Sequence, residues 1–339
     1  MSLQKSTVLK SSRKPLVLFF VGMAGSGKTT LVHRISLDLS YLKKTHYILN
    51  LDPASRNIPY FANIDIRDTI NFKKVMKDYY LGPNGAILTS LNLFSTRFNQ
   101  VQNIIQSKNY FLDFILIDTP GQIEIFTWSA SGSIITESFS RKFPVVLFYI
   151  IDIARTINPL TFVSNILYSC SILYKTRLPI LLILNKADIT SVDFLKEWLN
   201  NNDAFDNSLS NEKFFAGSFA RSLAFSIDIF HKKIPFLTIS ALSGIGSLNL
   251  IKFLKKICVE FFLYFQEELE ISLFRYIKNL NTKINSQKKN ENKKINKKFL
   301  YKNSGDYLEK CESENFFKIF EHIALLQLEN DKVYSLNLK

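Results

Sequence analysis

Along the chain, short runs of nearly continuous hydrophobic residues alternate with longer stretches of helical spacing. The runs are Leu16–Val21, His46–Leu51, Phe111–Ile117, Val145–Ile151, Pro179–Leu184 and Ile234–Ile239. They lack the apolar and polar alternation of a strand with one wet face, so the pattern predicts strands buried on both sides of a parallel sheet. The intervening stretches are long enough for the helical crossovers that parallel strands require. The predicted fold is α/β, with a mostly parallel sheet flanked by helices over residues 15–274.

The ends of the chain read differently. Residues 1–14 are polar and predicted to be disordered. After Leu273 the periodicity fails, and residues 275–339 form a basic, low-complexity tail built around Lys288-Lys-Asn-Glu-Asn-Lys-Lys-Ile-Asn-Lys-Lys298. Helical spacing returns at 315–328, with Phe316, Ile319, Phe320 and Ile323 on one face. Such a helix either packs back on the domain or binds a partner.

Composition narrows the class. With 339 residues, 47% hydrophobic and 21% charged, the chain can bury a large core. Its 11 Gly, 9 Pro and 3 Cys exclude collagen-like, disordered and disulfide-rich architectures. Cys170, Cys258 and Cys311 are widely spaced, which points to a reducing compartment. No apolar run approaches the roughly 18 residues that span a bilayer. Basic residues ahead of Leu16–Val21 imitate a signal peptide, but that run is shorter than the roughly 7–15 residues of its hydrophobic region. The expectation is a cytoplasmic protein with nuclear access open and no membrane partner.

The net charge of +14 suggests nucleic acid until it is located: ten basic residues and one acid, Glu291, lie between Arg275 and Lys302, so nine of those charges belong to the tail. Lysine runs with few aromatics lack a stacking surface, so nucleic-acid binding is expected only weakly and through the tail. Codon bias in an AT-rich genome would produce the same Lys/Asn excess.

The chemistry begins where the first run ends. Gly22-Met-Ala-Gly-Ser-Gly-Lys-Thr29 fits the phosphate-binding pattern G-x-x-x-x-G-K-[ST] between a strand and a helix over Thr29–Ser40. Gly22, Gly25, Ser26, Gly27, Lys28, Thr29 and the following Thr30 are the predicted nucleotide contacts, with Lys28 on the β/γ oxygens and Thr29 on Mg²⁺. Asp118-Thr-Pro-Gly121 closes a later strand, where Asp118 would hold the Mg²⁺ shell and Gly121 would meet the γ-phosphate. Asn185-Lys186-Ala-Asp188 closes another; Asp188 can accept from guanine N1–H and N2–H₂, whereas adenine presents a different edge. Ser240 and Ala241 follow the last strand and would offer a backbone contact to guanine O6. Asp52, in Leu51-Asp-Pro-Ala-Ser, either forms an Asp-Pro turn or faces the phosphates and orients a water. Gly82-Pro-Asn-Gly85 is, on composition alone, good turn chemistry. The phosphate loop by itself also permits a kinase acting on a small molecule or an RNA end. The N-K-A-D string and the lack of an Arg-rich lid segment weigh against it.

Taken together, these motifs make the chain resemble the GPN-loop GTPases, whose Gly-Pro-Asn is carried here by Gly82, Pro83 and Asn84. The likeness runs from about Leu16 to Phe265 and includes Asn63-Ile-Asp-Ile-Arg-Asp-Thr69 and Asp118-Thr-Pro-Gly-Gln-Ile-Glu124. Met23, Phe126-Thr-Trp-Ser-Ala-Ser-Gly132 and Cys170-Ser-Ile-Leu-Tyr-Lys-Thr176 resemble the eukaryotic type 1 branch. The resemblance implies a P-loop NTPase of the signal-recognition and MinD-like class: a dimer, with itself or a paralogue, that binds and hydrolyses GTP with Mg²⁺. It implies that Asn84 acts across the dimer and that Gln122 and Asp52 position the attacking water while Lys28 assists. Met23 replaces the signature lysine of MinD-like proteins, so a lysine contact in trans is not expected. The resemblance also implies RNA polymerase II subunits as clients, through assembly and nuclear import, with shuttling between cytoplasm and nucleus.

Overall fold

A computed structural model describes residues 14–108, 111–200, 204–205, 207–208 and 235–254. The segment 1–13, the tail from 275 and the helix expected at 315–328 lie outside the described residues. The chain enters a central strand, β1 (Leu16–Gly22), whose seven residues are all buried. Val17, Phe19 and Val21 face one hydrophobic cluster and Leu16, Leu18 and Phe20 the other. That two-residue alternation between two dry faces is why the run is apolar throughout.

The elements that follow are α1 (Lys28–Tyr41), β2 (His46–Asn50), β3 (Ile64–Asp65), α2 (Ile66–Thr69), α3 (Phe72–Asp78), α4 (Pro83–Thr96) and α5 (Phe98–Lys108). Then come β4 (Phe114–Asp118), α6 (Ile123–Trp128), α7 (Ala130–Ser140) and β5 (Val145–Asp152). A 3₁₀ turn, Ile153–Arg155, leads to α8 (Pro159–Thr176), β6 (Ile180–Asn185), α9 (Asp193–Asn200) and β7 (Phe236–Ile239). The sheet has seven strands in the order β3-β2-β4-β1-β5-β6-β7, every pairing parallel.

Five of the six expected strands lie where the hydrophobic runs put them, with ends shifted by up to three residues; of the last, residues 236–239 form β7 and Ile234 lies outside the described residues. β4 starts at Phe114 because Phe111 is exposed and Asp113 turns to Thr45, accepting from its backbone N–H at 3.1 Å. β3 was not anticipated: two residues give no run to detect. β1 lies between β4 and β5, so the chain departs to opposite sides of it. In open parallel sheets a ligand binds at that reversal, outside the carboxyl ends of the strands. Gly22, Asp118, Asp152 and Asn185 all stand at those ends.

Candidate functional site

The loop between β1 and α1 is shaped by its glycines. A Cβ on Gly22 would sit 2.5 Å from the Ile150 carbonyl oxygen of the neighbouring strand. Gly25 and Gly27 take left-handed φ angles of +78° and +91°, which side chains other than glycine rarely adopt. Gly27 caps α1 without a side-chain partner, leaving backbone N–H groups of the first turn directed at the crevice. Lys28 Nζ donates to the Gly22 and Met23 carbonyls, both at 2.9 Å. Burial lowers its pKa, while Asp118 and Asp52 act in the opposite direction. A desolvated ammonium resting on two carbonyls is poised to exchange them for phosphate oxygens. The Ser26 hydroxyl is buried without a partner, a second polar atom facing inward.

Asp118 ends β4 and is 1% exposed. Its Oδ2 accepts from the Tyr60 hydroxyl at 2.7 Å, and its Oδ1 has no partner. Burial raises its pKa to about 6, against the hydrogen bond from Tyr60, the nearby Thr29 hydroxyl and the charge of Lys28. Burial and the adjacent carboxylate push the Tyr60 hydroxyl upward, so it remains a proton donor. An orphaned carboxylate oxygen beside the Thr29 hydroxyl fits Mg²⁺, which favours few protein ligands and takes the rest from phosphate and water. Among the described residues no cluster of three or more His, Cys, Asp or Glu offers an all-protein cage.

Asp52 follows β2. Its Oδ1 accepts from the Ala54 backbone N–H at 2.9 Å, and burial raises its pKa against that bond and the charge of Lys28. The Asp-Pro turn is formed, and it leaves the carboxylate close enough to Lys28 of the phosphate loop to feel its charge. The loop is braced by the Asn63–Arg67 string. Asn50 Nδ2 donates to Asp65, Asp65 pairs with Arg67 at 2.7 Å, and Arg67 Nη1 donates to the Ser55 and Arg56 carbonyls at 3.1 and 3.0 Å.

Gly82-Pro-Asn is a helix start, which corrects the reading of a reverse turn. Gly82 is the N-cap of α4 and Pro83 opens its first turn, where a missing N–H costs nothing. Within one chain Asn84 reaches Gln122, whose Nε2 donates to Asn84 Oδ1. Gly121, just before, lies against the phosphate loop; a Cβ there would touch Ala24 Cβ at 3.6 Å.

The end of the crevice where base recognition is predicted is assembled by Asn185. Its buried amide donates to the Ser26 carbonyl at 2.8 Å and accepts from the Ala241 N–H at 3.1 Å, tying three loops together. Asp188 is exposed, and its Oδ1 accepts from the Ser240 hydroxyl at 2.5 Å. Lys186, at φ 69°, places Nζ 2.6 Å from Asp152 Oδ2. Thr30 is exposed on the first turn of α1.

Three neighbours were missed by sequence reasoning. Asp152 carries the same signal as Asp118, an acid at the tip of a buried strand. Arg155, which pairs with Asp152 at 3.4 Å and donates to the Ala24 carbonyl at 3.0 Å, carries none. Neither does Tyr60, in an irregular loop.

Comparison with known proteins identifies the family and the fold. A family model described as "Conserved hypothetical ATP binding protein" matches residues 20–260. The chain is 46% identical over 258 residues to GPN-loop GTPase 1 of Dictyostelium discoideum, covering 76% of this chain and 65% of that one. It is 44% identical over 263 residues to GPN-loop GTPase 1 of Saccharomyces cerevisiae, covering 75% and 68%. The crystal structure of a GTPase in apo form from Pyrococcus abyssi superimposes with a TM-score of 0.63 at 26% identity, covering 73% of this chain and 96% of that one. The chain thus spans just under two thirds of the Dictyostelium relative's length. No helix among the described residues is long and apolar enough to cross a membrane.

Proposed function

Because this chain belongs to the GPN-loop GTPase family, we propose that it binds GTP with Mg²⁺ and hydrolyses it to GDP and phosphate as a dimeric switch. The observation that carries this reading is Asn185, which joins the phosphate loop at Ser26 to the base loop at Ala241 while Asp188 stands beside it, braced by Ser240. A carboxylate so held accepts from the guanine edge, and an adenine there would leave it unpaired.

Mg²⁺, when bound, neutralises charge on the β- and γ-phosphates. Thr29 and Asp118 would hold it, and Gly22 to Lys28 would bind the phosphates through backbone N–H groups and the Lys28 ammonium. Asp52 and Gln122 orient a water for in-line attack; its oxygen bonds to the γ-phosphorus as the bond to the β–γ bridging oxygen breaks. Neither residue needs to be a strong base, because positioning and charge stabilisation dominate phosphoryl transfer. Asn84 acts on the γ-phosphate region, its own subunit's or a partner's, with itself or a paralogue as dimer partner. RNA polymerase II subunits as clients, and a cytoplasmic protein that shuttles to the nucleus, follow from the family resemblance.

The test is capture of partners by tagged protein loaded with GDP or a nonhydrolysable GTP analogue. Polymerase subunits and a paralogue enriched in one nucleotide state support the proposal. RNA or ribosomal material recovered regardless of nucleotide counts against it, as does phosphoryl transfer from ATP to an acceptor other than water.

A further inference from the structure

We propose that Tyr60 is a positioning residue for the divalent cation, its hydroxyl holding one oxygen of Asp118 so that the other is presented to Mg²⁺. The inference rests on the nucleotide-binding reading above and concerns a residue that none of the motifs contains.

The geometry is specific. Asp118 is fixed at the end of β4, with both flanking strands in register beside it: Phe20 of β1 and Asn50 of β2. Its backbone is therefore immobile, but the plane of a carboxylate turns easily about its last torsion. The Tyr60 hydroxyl, 2.7 Å from Oδ2, removes that freedom and leaves Oδ1 buried and unpartnered. A buried acceptor left open is uncommon in folded proteins and needs a reason. A cation that arrives with the nucleotide supplies one. Partners that orient a metal ligand through its second atom tune affinity strongly, commonly by 10–100-fold.

Tyr60 can act as a strut because its own position is fixed. The residue is 7% exposed and belongs to the same apolar cluster as Leu18, Ile48 and Leu116. Ile58 and Ala62 pack on that cluster from either side of it. Asn63 then closes the loop onto β2, donating its N–H to the Ile48 carbonyl at 2.9 Å and accepting from the Ile48 N–H at 2.8 Å. At the other end, Arg67 clamps Ser55 and Arg56. The hydroxyl thus reaches Asp118 from a segment bracketed on both sides.

Tyr60→Phe removes one oxygen and keeps the ring in its cluster, so the fold should survive, as a melting curve would verify. Magnesium chloride is titrated into the full-length protein saturated with GDP, and GDP binding is measured separately in EDTA. The expected result is a Mg²⁺ midpoint raised at least tenfold, GDP affinity in EDTA within twofold of the parent, and turnover that recovers at high Mg²⁺. An unchanged midpoint overturns the proposal. So does a lowered one, which would mean that the hydroxyl competes with the cation. Equal losses with and without Mg²⁺ overturn it too, because Tyr60 would then only hold the loop. If the parent itself binds no guanine nucleotide, the functional reading falls and this inference with it.

Discussion

The Asn185 side-chain amide lies 2.8 Å from the backbone carbonyl of Ser26, so the loop after β6 and the loop after β1 are joined by one buried hydrogen bond across 159 residues of sequence. Gly27 makes the approach possible: a Cβ there would sit 2.4 Å from the same nitrogen. The pocket's two ends are therefore one mechanical unit.

Asn185→Ala leaves the Ser26 carbonyl and the Ala241 N–H without their partner. A loss of about 1–3 kcal/mol is expected from such unpaired groups. Denaturant unfolding of the nucleotide-free protein should show it, with a parallel fall in affinity for GDP. Asp188→Asn should behave otherwise, leaving stability within about 0.5 kcal/mol, as at exposed sites, and shifting preference toward xanthosine nucleotides. Unchanged guanine preference in a binding titration would contradict the assigned role.

Lys28→Ala should lower GTP affinity by an order of magnitude or more, since a hydrogen bond to a charged group contributes about 1.5–3 kcal/mol. Without nucleotide the same change removes a desolvated ammonium, so the melting temperature should fall little. Calorimetric titration and a thermal scan separate the two effects.

Asp118 gives a pH dependence with a definite sign. Its folded pKa of about 6 lies above the ordinary aspartate value of 3.8, so the native state holds the extra proton. Ionising it therefore costs stability, progressively, as pH rises from about 4 to 6, on the order of 3 kcal/mol in total. Asp118→Asn should accordingly melt higher than the parent at pH 7.5 without nucleotide or metal. The advantage should vanish near pH 4, where the parent's carboxyl is neutral. An advantage that persists there would show that burial of charge is not its source.

Asn84→Ala should slow GTP hydrolysis about tenfold while changing GTP affinity less than twofold, because its contact is with Gln122, the residue proposed to orient the attacking water. Mixing this variant with Lys28→Ala distinguishes action across a dimer from action within one chain. If Asn84 acts in trans, the mixed dimer pairs an intact phosphate loop with an intact Asn84, and turnover returns in part. If it acts in cis, mixing restores nothing.

Much of the site was legible because its determinants are local. Gly22 to Thr29 must turn tightly between a buried strand and a helix, and only that glycine spacing allows it. Asp118 and Asn185 announced themselves by ending apolar runs, as Asp152 did without being noticed. The helix start at Gly82-Pro-Asn was harder, since Pro is as well suited to a turn as to a first helical position.

The sequence by itself determined the parallel sheet, the order of the motifs and the glycine-rich loop between β1 and α1, because strand burial and loop conformation depend on residues close along the chain. Only the tertiary structure decided which side chains meet. Tyr60 reaches Asp118 across 58 residues, Asn84 reaches Gln122 across 38, and Arg155 reaches Ala24 across 131. Each is a directional contact between separate elements, set by how helices and loops stack on the sheet, and no periodicity in the chain encodes that angle.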